Sequence, residues 1–171
     1  MSEKKNYLLL DIDGTAAPLD GAAGETVMDG IVVRAPYANW YIPERVAALM
    51  YFLDLRKEVP GKNGFVTEMQ WATRWANDAN NINKELELDH FPYLNVNEDN
   101  EEVGEWFKVP ALKAFVEEHL AEDNTIVIAD DEFTKEFSEW AEKYPNLKLV
   151  LTDPDEGITD EQAEEIIGYF F

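Results

Sequence analysis

Two short apolar runs, each stopped by a pair of acids, constrain this chain more than any other feature. Residues 7–12 read YLLLDI and lead into Asp13-Gly14-Thr15, and residues 125–129 read TIVIA and lead into Asp130-Asp131. Short runs that are apolar without alternation belong to strands covered on both faces, as in a parallel sheet. Three more segments read as strands: 65–72, the weaker 91–96, and 147–151. Helical spacing fills the gaps. Pro43 suits a first helical turn, and Val46, Leu49, Met50 and Leu53 then mark a buried stripe. Trp75, Ala79 and Ile82 line a second helix, and Pro110 opens a third with Leu112, Phe115, Val116 and Leu120 inward. Phe133, Phe137 and Trp140 mark a fourth. Thr159 with Gln162 resembles a capping box ahead of Ala163, Ile166, Ile167 and Phe170. Strand and helix alternate throughout. The sequence therefore predicts a single α/β domain over 1–171, with a doubly wound, mainly parallel five-stranded sheet and helices on both faces.

Residues 14–42 interrupt this rhythm. They are rich in Gly and Ala with a Pro, and read as a loop or hairpin flap in which Ile31-Val32-Val33 pairs with Trp40-Tyr41-Ile42. Its aromatics, Tyr37, Trp40 and Tyr41, are placed either to stack on a base or to pack on the domain.

Composition narrows the chemistry. The 171 residues include no Cys and two His (His90 and His119, both read as structural), which excludes disulfides, Cys-ligated zinc and a Cys nucleophile. It also leaves little room for a His-rich metal site or a Ser-His-Asp triad. Fourteen basic against 36 acidic residues give a net charge of −22. A field of that sign disfavours nucleic acid and anionic lipid as partners without excluding a nucleic-acid end. A small phosphorylated substrate remains compatible where a metal and a few cations reverse the sign locally. After Lys4 and Lys5 the longest early apolar stretch is residues 7–10, too short for a signal core or a membrane span, so a cytoplasmic location without a membrane partner is expected.

In a doubly wound sheet, ligands gather beyond the carboxyl ends of the strands. Asp11 and Asp13 follow the first strand, Thr73 follows the second, Lys108 precedes the helix leading into the fourth, and Asp130 and Asp131 follow that strand. Any one acid after a strand is ordinarily a turn former or helix cap. The ordered set is different: crowded carboxylates call for a cation, an oxygen-only donor set suits Mg²⁺, and Thr and Lys suit phosphoryl oxygens. Trp71 and Trp75 flank Thr73, one expected in the core and one on the wall of the site. Asn95, Asn97 and Asp99 alternate as in a calcium loop, but Asn100 and Trp106 occupy the places of its Gly and bidentate Glu, so that reading fails. Thr152-Asp153-Pro154 reads as a turn beside the crevice.

These residues carry a resemblance. LLLDIDGT looks like the first motif of the haloacid dehalogenase (HAD) superfamily. Thr73 in QWATRW, Lys108 in WFKVPAL and Asp130-Asp131 in IVIADDEF follow in that family's order. The stretches WATRWANDAN, FKVPAL and TDPDEGIT are also similar to a group of small HAD-like proteins of bacteria and their viruses. The resemblance implies a Rossmannoid sheet of order 5-4-1-2-3 and a capless or minimally capped phosphohydrolase. Asp11 would be the nucleophile and Asp13 the acid–base. Mg²⁺ would be held by Asp11, the backbone carbonyl of Asp13, and Asp130 or Asp131, while Thr73 and Lys108 would grip the phosphoryl group. An acid at the position of Asp13 separates the family's phosphatases from its dehalogenases. Two other functions are weighed against this one. A receiver-type phosphoacceptor is disfavoured because the third predicted strand ends at Val96-Asn97 without an Asp, and Lys108 comes before the fourth. A catalytically silent scaffold binding a nucleotide or a protein has no feature in its favour.

Overall fold

The structure is a computed structural model that describes residues 3–19, 30–34, 39–89, 91–96 and 106–171. Tyr37, His90, Asn97 and Asp99, and residues 20–29 of the expected flap, lie outside the described residues.

Four strands form one all-parallel sheet: β1 (Asn6–Leu10), β4 (Thr67–Trp71), β5 (Ile126–Asp130) and β6 (Leu147–Leu151), in the order β4-β1-β5-β6. A separate antiparallel pair, β2 (Gly30–Arg34) and β3 (Asn39–Pro43), sets Ile31 opposite Ile42, the hairpin expected of the flap. The helices among the described residues are α1 (Glu44–Leu55), α2 (Asn80–Glu85), α3 (Val109–His119), α4 (Lys135–Ala141) and α5 (Asp160–Phe170).

The expected five-stranded sheet of order 5-4-1-2-3 is corrected to four strands, which keep their expected places beside one another while the fifth is missing from the edge. Residues 91–96 do not become a strand; they make a single bridge, Tyr93 to Trp71, with hydrogen bonds from Trp71 N to Pro92 O (2.9 Å) and from Leu94 N to Trp71 O (2.7 Å). Pro92 has no N–H to extend the ladder. Two helix readings also shift. Phe133 lies before α4, whose N-cap is Thr134, and Trp75 precedes the 3₁₀ turn Ala76–Ala79 rather than lining a helix.

Alternation within the buried strands builds two cores. Leu8 and Leu10 of β1, with Val127 and Ala129 of β5, pack with Val46 and Met50 of α1 and Ile166 and Phe170 of α5. Leu9, Ile126 and Ile128 face the other way, against Leu112 and Phe115 of α3 and Phe137 of α4. Helices thus cover both faces, a plan compatible with a Rossmann-like fold. The side chains of both cores are almost wholly buried, so the sheet is a firmly packed platform for whatever projects from its strand ends. Among the described residues no helix is long and apolar enough to cross a membrane.

Candidate active site

Strand register decides which side chains meet. Leu10 lies opposite Trp71 on one side and Ala129 on the other, so β1, β4 and β5 end together. Asp11 comes next after β1, its N–H still donating to Ala129 O at 3.0 Å, and Asp130 is the last residue of β5. Gly14 then turns the chain at φ +77°, and a Cβ there would lie 2.5 Å from Asp131 Oδ2. Only glycine meets both demands, the left-handed backbone and the close approach. Thr152, after β6, fastens the same turn. Its hydroxyl donates to Gly14 O at 2.8 Å and accepts from Thr15 Oγ1 at 3.1 Å. Asp153 and Pro154 beyond it form the expected turn, with Asp155 N donating to Asp153 Oδ1 at 2.8 Å.

The result is a pocket of about 160 Å³ lined by Asp11, Asp13, Asp130, Asp131 and Glu132 against Lys108 and Arg74, with Trp106 and Phe107 on its wall. Lys108 stands at the centre: its Nζ is 2.9 Å from Asp11 Oδ1 and 2.6 Å from Asp130 Oδ2. The α3 backbone begins at Lys108, its N-cap, with Pro110 pre-set for the first turn. Asp11, Asp130 and Asp131 each offer a carboxylate oxygen within 4.8 Å of the others. Asp13 is held from outside this trio, where Trp75 Nε1 donates to its Oδ2 at 3.1 Å and its Oδ1 is buried without a hydrogen-bond partner.

Electrostatics follow from this crowding. Burial lifts the Asp11 carboxyl above the usual range, opposed by Lys108. Burial also lifts Asp13, opposed by the Trp75 N–H. Asp130 is pushed up to about 8, first by burial and then by Asp11, against the pull of Lys108. One ammonium cannot neutralise three neighbouring carboxylates, so the site favours binding either protons or a further cation. The oxygen-only trio fits Mg²⁺ or a similar hard cation.

A second pocket, of about 210 Å³ beside the start of β4, is lined by Lys5, Lys57, Asp54, Glu68 and Asp89 among others. Its charges are already matched: Lys5 pairs with Glu68 at 2.7 Å and Lys57 with Asp54 and Asp89. The strand-end pocket alone of the two carries a marked excess of acid.

Of the residues singled out in the sequence, Asp11, Asp13, Lys108, Asp130 and Asp131 come together in the strand-end pocket. Thr73 does not line it. Its side chain is buried, and its Oγ1 accepts from Trp75 N at 3.4 Å, anchoring the turn after β4. Trp71 goes to the core, with Nε1 donating to Asn83 Oδ1 at 3.0 Å, while Trp75 reaches the site. In the flap, Trp40 packs against Trp75, ring centroids 5.3 Å apart, rather than standing free for a base. His119 packs on Phe115 and Tyr7 as a structural residue. The sequence reading did not single out Arg74, Phe107 or Glu132. Arg74 lies beside Thr73 in WATRW, with its guanidinium 3.9 Å from the Phe107 ring centroid, and a basic residue directly after a strand end was the signal available.

Comparison with protein-family models, with curated proteins and with solved structures finds no match for this chain.

Proposed function

We propose that this protein is a Mg²⁺-dependent phosphohydrolase of the HAD type, cleaving a phosphomonoester through an aspartyl-phosphate. The observation that carries the reading is the convergence, on one strand-end pocket, of three carboxylates, a lysine between two of them, and a fourth carboxyl held apart from the trio. Five acids to two bases line the pocket, so an anionic ester needs a divalent cation there before it can enter. Asp11, Asp130 and Asp131 would hold Mg²⁺, with the backbone carbonyl of Asp13 as the resemblance implies. When bound, the metal supplies the positive charge that lets a phosphate approach carboxylates.

The residues divide the remaining work. A carboxylate oxygen of Asp11 attacks phosphorus, and the bond from phosphorus to the ester oxygen breaks. Asp13 gives its proton to that departing oxygen. It then takes a proton from the water that attacks the acyl-phosphate, which frees Asp11 and releases phosphate. Lys108 faces the phosphoryl oxygens and balances their charge, and Arg74 at the rim adds a second cation. Thr73 serves by holding the turn that carries Arg74 and Trp75, a change from the phosphoryl contact implied by the resemblance. The substrate class is a phosphomonoester, whether a nucleotide, another small phosphate or a nucleic-acid end.

A panel of nucleoside monophosphates, sugar phosphates and phosphorylated oligonucleotide ends, assayed with Mg²⁺, tests this. Release of phosphate that falls about 10³-fold or more in Asp11→Asn is the expected outcome, since a covalent nucleophile has been removed. No release from any ester, or equal release by Asp11→Asn, would contradict it. Tight ligand binding without product would instead favour the silent-scaffold function.

A further inference from the structure

The Asp13 carboxyl has two oxygens in different situations. Oδ2 accepts from Trp75 Nε1 at 3.1 Å, and Oδ1 has no hydrogen-bond partner. An indole N–H is a donor only. The oxygen facing it accepts this hydrogen bond whether the carboxyl is ionised or protonated, so the contact orients the side chain in either state. We propose that Trp75 is a positioning residue that holds the Asp13 carboxyl in one orientation at the strand-end pocket and so presents the acid to the leaving oxygen. This rests on the phosphohydrolase reading and adds to it a residue outside the acid, lysine and threonine set.

Two further contacts and a constrained backbone keep the indole in place. Trp75 N donates to Thr73 Oγ1 at 3.4 Å, which fixes where its backbone leaves β4. Ala76, the next residue, sits at φ 46°, a conformation that L residues with a Cβ adopt only when their surroundings impose it. Trp40 of β3 then closes on the ring at 62° between planes, the edge-to-face contact that aromatic pairs prefer. The hairpin after β1 therefore bears on the acid through two tryptophans, Trp40 touching Trp75 and Trp75 touching Asp13.

General-acid catalysis matters in proportion to how badly the leaving group needs a proton. The test replaces Trp75 with benzothienylalanine, which keeps the bicyclic shape and exchanges N–H for sulfur, alongside Trp75→Phe. Each protein is assayed with Mg²⁺ on phenyl phosphates graded from nitro to methoxy substituents. The expected loss in kcat grows along the series, from about threefold for the nitrophenyl ester to about thirtyfold for the methoxyphenyl ester, a part of the roughly 10²–10⁴-fold that a general acid supplies. In proton NMR the Trp75 indole N–H signal, assigned by its absence in Trp75→Phe, should move upfield in Asp13→Ala.

A loss of the same size on every ester would assign Trp75 a packing role only and overturn the proposal. So would an indole signal that does not respond to Asp13→Ala. Wild-type protein that cleaves no ester in the series would overturn both this proposal and the phosphohydrolase reading. An active wild type with an unchanged leaving-group dependence in the variants overturns the Trp75 role alone.

Discussion

At the scale of single residues, Lys108 decides whether the site can stay folded without a metal. It is buried, and its ammonium contacts both Asp11 and Asp130. Removing one partner of a buried ion pair typically costs about 3–5 kcal/mol, because the other charge is left unpaired. Lys108→Met should therefore destabilise the metal-free protein by about that amount at pH 8. At pH 5 the loss should shrink, since the raised carboxyls then take up protons. Chemical denaturation at the two pH values checks this, and a loss independent of pH would contradict it. The acids were legible in the sequence because they close buried strands that set their positions, and the lysine because it stands just ahead of the helix that Pro110 opens. Trp75, Arg74 and Phe107 were less so. Their directions depend on turns whose geometry no periodicity encodes, and Thr73 shows the same limit from the other side: it has the right place in the chain, but its hydroxyl is turned to backbone.

At the scale of elements, apolar content and capping chemistry made most of the fold readable. The buried runs became β1 and β5, and the capping box formed, with Gln162 N donating to Thr159 Oγ1 at 3.2 Å and Thr159 N to Gln162 Oε1 at 3.2 Å. The failure was 91–96. Phe91, Leu94 and Val96 suggest a strand, but Pro92 removes a ladder donor, and the segment stops at one bridge to Trp71. The turn after β4 was unreadable for another reason: Ala76 at φ 46° is strained, and composition carries no sign of it. Ala76→Gly should relieve that strain and raise stability by about 1 kcal/mol. A thermal melt showing lower stability would mean that the left-handed turn costs the chain nothing.

For the whole molecule, a net charge of −22 meets a strand-end pocket that already has too many carboxylates. Burial raises Asp11 and Asp13, and lifts Asp130 to about 8. A carboxyl raised on folding adds stability that is complete below its ordinary range and lost as pH climbs through the raised value. Metal-free protein should accordingly lose stability between about pH 4 and pH 8 through this site. Mg²⁺ competes with those protons, so the rise in Tm on adding it should be small at pH 5 and largest near pH 8. A rise that shrinks with pH would place the cation elsewhere. The central claim is that Asp11 accepts the phosphoryl group, and its most direct measurement is acid-quenched turnover followed by borohydride reduction and peptide mass spectrometry. The predicted result is a reduced side chain at position 11 alone, formed only with Mg²⁺ and ester present and absent from Asp11→Asn. Modification at another residue, or steady phosphate release with position 11 untouched, would contradict it.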